Sequence, residues 1–185
     1  MKKVATFGEI LLRLATPNKE RILQAKNFDA DYGGGEYNVA VSLSQFGVPT
    51  KFVTALPDNA VGDSAMFRIK GFGIDSSSIV RQGDRMGLYF LEHGAAMRAS
   101  KVVYDRARSS ISEIKLGDID WEKAFNGIDW FHFTGITPAL SSSAADVTSE
   151  AASAAKDLGL TAVSYTHLRA HETVLDLVCR LLLEK

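Results

Sequence analysis

The chain has 185 residues, of which 46% are apolar and 23% charged, and its formal net charge is −1. That balance describes a globular protein with one well-buried core. Without a basic run it argues against nucleic acid and against a membrane surface, and no apolar stretch reaches the roughly 20 residues of a bilayer span. Cys179 is the only cysteine, which excludes a disulfide framework and a Cys-based metal site. Lys2 and Lys3 bring charge too early for a secretory apolar region, so the reading is a cytoplasmic protein.

In chain order, Val4 to Phe7 is a short buried strand ending at Gly8, and Leu11 to Leu14 extends it or pairs beside it. Glu36 to Phe46 has helical spacing, with Tyr37, Ala40, Val41 and Leu43 toward one side and Gly47 where a C-terminal cap belongs. Thr50 to Ala55 is a strand stopped by Pro57-Asp58-Asn59, and Asp63 to Phe72 is a helix closed by Gly71 and Gly73. This β-α-β-α order predicts a parallel sheet with helices on its faces.

The middle changes character. Ile79-Val80, Gly87 to Glu92 and Ser100 to Arg106 are short and β-rich, with no helix between them. They predict an antiparallel meander standing apart from the main sheet as a lid. Helices then return, at Trp121 to Phe125 with Asp120 as its cap and at Ser143 to Leu158 closed by Gly159. Trp130 to Phe133 and Leu160 to Val163 are the strands that go with them. His132 alternates with bulky apolar neighbours and reads as a packed strand residue.

One stretch points to a ligand. Asp31-Tyr32-Gly33-Gly34-Gly35-Glu36-Tyr37-Asn38 runs three glycines into a helix. Glycine lets backbone come close to a guest, and the helix end adds unpaired N–H groups and a positive dipole. A small polyhydroxy or anionic molecule suits that place. A tight turn is the plain alternative for the glycines, and helix capping is the plain alternative for Asn38.

Further segments give the stretch its context. Phe7-Gly8-Glu9, Gly33 to Ala40, Gly47, Leu56-Pro57-Asp58-Asn59 with Gly62-Asp63, Asp84 to Tyr89, Val103-Tyr104-Asp105-Arg106 and Thr134 to Leu140 occur in one order. In that order they resemble the N-terminal part of a PfkB (ribokinase-like) carbohydrate kinase, nearest to its 2-dehydro-3-deoxygluconate kinase branch, over residues 1 to 162. Pro57 stands where the general signature has glycine, a departure that the sugar-acid branch accommodates.

The resemblance implies a ribokinase-like three-layer α/β/α sandwich with a small antiparallel β lid, its strands within about 79 to 106. It implies that Gly33 and Gly34 face a sugar acid through their backbone and that Asn38 bonds a hydroxyl. Tyr89, Tyr104 and Arg106 would come from the lid, Ile136 would add backbone contacts, and Glu9 is a weaker candidate. Tyr104 and Arg106, two apart, share one face of a strand. A guanidinium there can hold a carboxylate by two parallel hydrogen bonds, which suits a sugar acid better than a neutral sugar. Packing is the plain alternative for the two tyrosines. For Arg106 it is an exposed salt bridge with Asp105 or Glu92, beside Arg108.

The family's catalytic base lies in a Gly-Ala-Gly-Asp turn, which this sequence lacks, so no catalytic residue is assigned. ATP and Mg²⁺ are implied for the intact kinase and neither is expected to bind well to this chain. Where the family has Asp-x-Asn-x-Arg the chain reads Val163-Ser164-Tyr165-Thr166-His167-Leu168-Arg169, and Arg169 does not inherit that role. Residues 163 to 185 read as a foreign tail with a helical apolar pattern, an amphipathic C-terminal helix being the alternative. His167 and His171 lack a third ligand and are not read as a metal site.

The expectation is therefore a truncated sugar-acid kinase without catalysis. The alternatives are a non-catalytic sugar-acid-binding module or a kinase of fructose or ribose type, and more remotely a dinucleotide-binding domain, which lacks its fingerprint. Self-association through the lid is a possible partner interaction.

Overall fold

The computed structural model describes residues 2–165. The elements run β1 (Val4–Phe7), β2 (Leu11–Ala15), β3 (Asp29–Gly33), α1 (Gly35–Gln45), β4 (Thr50–Val53), β5 (Ala55–Leu56) and α2 (Ala60–Gly71). They continue as β6 (Val80–Arg81), β7 (Leu88–Glu92), β8 (Lys101–Asp105), α3 (Trp121–Phe125), β9 (Trp130–Thr134), α4 (Ser142–Asp157) and β10 (Thr161–Tyr165).

Four of these strands form a parallel sheet in the order β10-β9-β1-β4. Strand alternation sends Ala5, Phe7, Val53, Phe131 and Phe133 to one face, where they meet Trp121 and Phe125 of α3 and Val147 and Ala151 of α4. Edge-on aromatic contacts fill this layer, with Phe7 and Trp121 centroids at 5.3 Å and Phe125 and Phe131 at 4.9 Å. Phe52 points the other way, against Tyr37 and Ala40 of α1 and Ala65 and Ile69 of α2. Helices on both faces of a parallel sheet make the three layers that the helix and strand spacing predicts.

Side-chain caps start three helices. Asn59 accepts from the N–H groups of Val61 and Gly62, Asp120 from Lys123, and Ser141 from Ala144. Gly47, Gly73 and Gly159 follow α1, α2 and α4 with φ of 76°, 73° and 73°, the left-handed turn at which a side chain is strained.

The second sheet, β3-β2-β7-β8, is the lid, and it departs from expectation in two respects. Half of it comes from residues 11–15 and 29–33, outside the predicted 79 to 106, and β2 pairs with β7 in parallel while β3 and β8 are antiparallel to their neighbours. Val80–Arg81 lies outside the lid and pairs with Ala55–Leu56. A short apolar run announces a strand without naming its partner, because pairing is a long-range choice. The turn at Gly8-Glu9-Ile10 moves the chain from the main sheet to the lid.

β10 continues through Val163 to Tyr165 in register with β9. From residue 166 onward, the foreign-tail reading and the His167–His171 pair lie outside the described residues.

Candidate functional site

The Phe7-Gly8-Glu9 segment shows how the site is assembled. A Cβ on Gly8 would collide with the carboxyl group of Glu36, so the glycine makes room for an acid arriving from the first turn of α1. Glu36 is 1% exposed, and its Oε1 accepts from Thr134 N at 3.2 Å, Thr134 Oγ1 at 2.6 Å and Thr137 Oγ1 at 3.3 Å. Burial pushes its carboxyl above the ordinary value, and these hydrogen bonds pull against that without cancelling it. Thr134 Oγ1 in turn accepts from Ile136 N at 3.1 Å, which ties the loop after β9 to the start of α1.

Glu9 is the second buried acid, 2% exposed. Arg106 donates to its Oε2 from Nε at 2.8 Å and also from Nη2, and Ser109 Oγ donates to its Oε1 at 3.2 Å. Gly87 keeps the space beside that carboxylate clear, since a Cβ there would run into Oε1. Burial raises the Glu9 carboxyl above its ordinary value, and Arg106 offsets part of the effect. The expected rivals for Arg106 are engaged elsewhere: Asp105 pairs with Arg85 at 2.9 Å and Glu92 with Arg98. The partner of Arg106 is thus neither neighbour but a carboxylate 97 residues away.

On the lid, register lines up Asp31, Arg13, Tyr89 and Tyr104 across four strands. The Tyr89 and Tyr104 rings are 5.7 Å apart, and the Arg106 guanidinium sits 5.4 Å from the centroid of Tyr104. A Cβ on Gly33 would stand 3.0 Å from Tyr89 Oη. At Gly34 it would strike the backbone carbonyl of Glu9, so the α1 entry lies directly on the β1–β2 junction. Ile136 Cδ1 comes within 3.7 Å of where Gly35 would carry a Cβ.

The fold therefore gathers Glu9, Gly33, Gly34, Tyr89, Tyr104 and Arg106 into one surface, with Ile136 at its α1 end. Tyr104 is 58% exposed and so available to a guest. Asn38 lies in the first turns of α1 with its side chain exposed, and its N–H donates to Gly34 O at 2.8 Å. It does not cap the helix, because Gly34 holds that position and brings no side chain.

Sequence reasoning missed Ser109, the burial of Glu36 and the Arg13–Asp31–Arg68 chain, in which both guanidinium groups reach one carboxylate at 3.0 and 2.8 Å. A glutamate after three glycines reads as a dipole complement, and nothing local says that it is buried. The packed reading of His132 is half met: the ring is partly buried, and its Nε2 has no hydrogen-bond partner among the described residues.

A groove of about 600 Å³ lies beyond the lid's return segment, lined by Gln82, Ser110, Ser112, Asp118 and Ser143. None of the predicted site residues lines it. Among the described residues no three His, Cys, Asp or Glu side chains stand together as a metal site, and no helix is long and apolar enough to cross a membrane.

Residues 1–182 match the family model described as pfkB family carbohydrate kinase. A 2-dehydro-3-deoxygalactonokinase of Haloferax volcanii is 32% identical over 161 residues, 86% of this chain and 50% of its own length. The solved 2-dehydro-3-deoxygluconokinase of Thermotoga maritima superimposes with a TM-score of 0.88 at 48% identity, covering 91% of this chain and 52% of that one. A PfkB family carbohydrate kinase of Listeria grayi gives 0.89 at 37% identity, covering 97% and 56%. The chain spans about half the length of these relatives.

Proposed function

The chain belongs to the pfkB family of carbohydrate kinases, and on that premise we propose that it forms the sugar-acid half of a kinase site for 2-dehydro-3-deoxygluconate. The observation that carries this reading is Arg106, held by the buried Glu9 and laid beside Tyr104 on the lid face above Gly33 and Gly34. A planar guanidinium fixed in this way matches a carboxylate in shape and charge. The tyrosine hydroxyls and the backbone beside the glycines suit a polyhydroxy chain, and Asn38 is placed for a hydroxyl farther along α1. A neutral fructose or ribose would leave the donors of the guanidinium that Glu9 does not occupy without a carboxylate.

ATP-dependent transfer is the family's chemistry, and in the whole enzyme the nucleotide supplies the phosphoryl group. The described residues do not fit that partner. They present no three-carboxylate or histidine cluster for Mg²⁺, and the sequence has no glycine-rich phosphate turn ending in a basic aspartate. No step is therefore assigned to a residue of this chain, which is proposed to bind the acid without turning it over.

Calorimetric titration of the purified chain tests the reading. We expect saturable binding of 2-dehydro-3-deoxygluconate, lost in Arg106→Ala, with no comparable heat from fructose or ribose and no ATP consumption in a coupled assay. Equal binding of the neutral sugars would overturn the sugar-acid assignment, and turnover would overturn the division of labour. The proposal extends to self-association through the lid, since β8 is exposed along its whole length at the sheet's edge.

A further inference from the structure

We infer that Glu9 is the positioning residue that selects for the substrate's carboxylate, by fixing which edge of the Arg106 guanidinium is offered to it. This rests on the sugar-acid reading above and adds a residue and a mechanism to it.

The guanidinium is a rigid planar fork with five N–H donors. Glu9 Oε2 takes the Nε–H and one Nη2–H, so the side edge of the fork is occupied. The remaining Nη2–H and one Nη1–H form the end-on edge, a second pair of parallel donors suited to a ligand carboxylate. Tyr104 limits the fork on its face, with the guanidinium carbon 5.4 Å from the ring centroid. Glu9 is itself held, since Ser109 Oγ donates to its free oxygen and Gly87 leaves its carboxylate unobstructed. Ser109 is completely buried, which makes the anchor a rigid one. Arg106 is one-quarter exposed, so one side of it still faces a place that a ligand can enter.

Two effects of Glu9 oppose each other and can be separated. As an anion it weakens the pull of Arg106 on a second carboxylate. As a clamp it removes the rotamer freedom that ligand binding would otherwise have to freeze, which for one long side chain is worth roughly twofold to tenfold in affinity. It also keeps the end-on edge presented. The clamp is inferred to dominate, because the acids next to Arg106 on the lid are engaged elsewhere, Asp105 by Arg85 and Glu92 by Arg98. Among the described residues Glu9 alone therefore holds the fork from below.

The test measures affinity for 2-dehydro-3-deoxygluconate and for its methyl ester, which keeps the hydroxyls and loses the charge. Wild type is expected to prefer the acid. Glu9→Ala should weaken acid binding by about tenfold, leave the ester unchanged, and cause no further loss in an Arg106→Ala background. Glu9→Gln keeps an acceptor for Arg106 and should recover most of the preference. Should Glu9→Ala fail to fold, Glu9→Asp, which draws the carboxylate back by one methylene, is expected to show the same selective loss in smaller measure. Unchanged or tighter acid binding in Glu9→Ala or Glu9→Asp would make Glu9 a mere counter-charge and overturn the inference. Equal weakening of acid and ester would reduce it to a structural role. If wild type binds neither ligand, the sugar-acid reading itself has failed.

Discussion

Glu36 carries its carboxyl group into a site closed to water, where three donors share one of its oxygens. Its folded-state titration lies above the ordinary 4.5, with burial the chief cause. Between those two values the native chain keeps a proton that the unfolded chain has released, so stability from this group falls as pH rises through the window. Above the folded value the deficit is constant, and below 4.5 it is gone. Glu9 titrates in the same direction, whereas His132, held below its ordinary value by burial, titrates in the opposite one. Comparing Glu36→Gln with wild type cancels His132 and leaves the Glu36 effect together with its charge coupling to Glu9, which acts in the same direction. The variant retains an acceptor and has no charge to desolvate. We expect the melting temperatures to agree near about pH 4 and the variant to be the more stable by about pH 8. A gap independent of pH would exclude a desolvated carboxylate as the cause. Glu36 also shows a limit of local reading: its neighbours predict a charge at a helix start, while its burial depends on Gly8 and Thr134, far off in the chain.

Whole elements were more legible than single side chains. α2 can be read from its apolar spacing and Gly73, although that reading starts it at Asp63 while the Asn59 cap starts it at Ala60. α4 can be read from its alanines and Gly159, because capping and periodicity act within a few residues. Asn59 does more than local rules require, since its Nδ2 also donates to Asp84 O at 3.2 Å and so ties the start of α2 to the segment leading into the lid. Asn59→Ala should cost about 1 kcal/mol through the lost cap alone. Urea denaturation monitored by circular dichroism measures this directly, and a change well under half that size would mean that the cap is replaced by water. The lid strands fared worse. β2 and β3 belong to a sheet whose other half lies more than fifty residues further on, and an apolar run does not record such a partner.

At the scale of the molecule, a parallel sheet with two covered faces carries a second four-stranded sheet whose outer edge, β8, is open. Val102 and Val103 are 43% and 41% exposed there, and an edge strand of this composition invites a second copy. Light scattering of the purified chain is expected to show dimers that Val103→Lys disperses to monomers. A wild-type monomer at tens of micromolar, roughly where weak interfaces begin to assemble, would count against lid pairing. By itself the sequence determined the helices, the helix ends at Asp120, Gly47 and Gly159, the parallel core and the family, since spacing and turn chemistry are written locally. Only the tertiary structure decided which strands make the lid and that Arg106 answers to Glu9 instead of its neighbours. It also decided that Asn38 is not a cap and that two acids lie buried beneath the glycines. For Asn38 the reason is the local helix start at Gly34. For the lid, the Arg106 pairing and the two buried acids the physical reason is common: each depends on backbone segments brought into contact from distant parts of the chain, where burial and close approach, not local propensity, set the outcome.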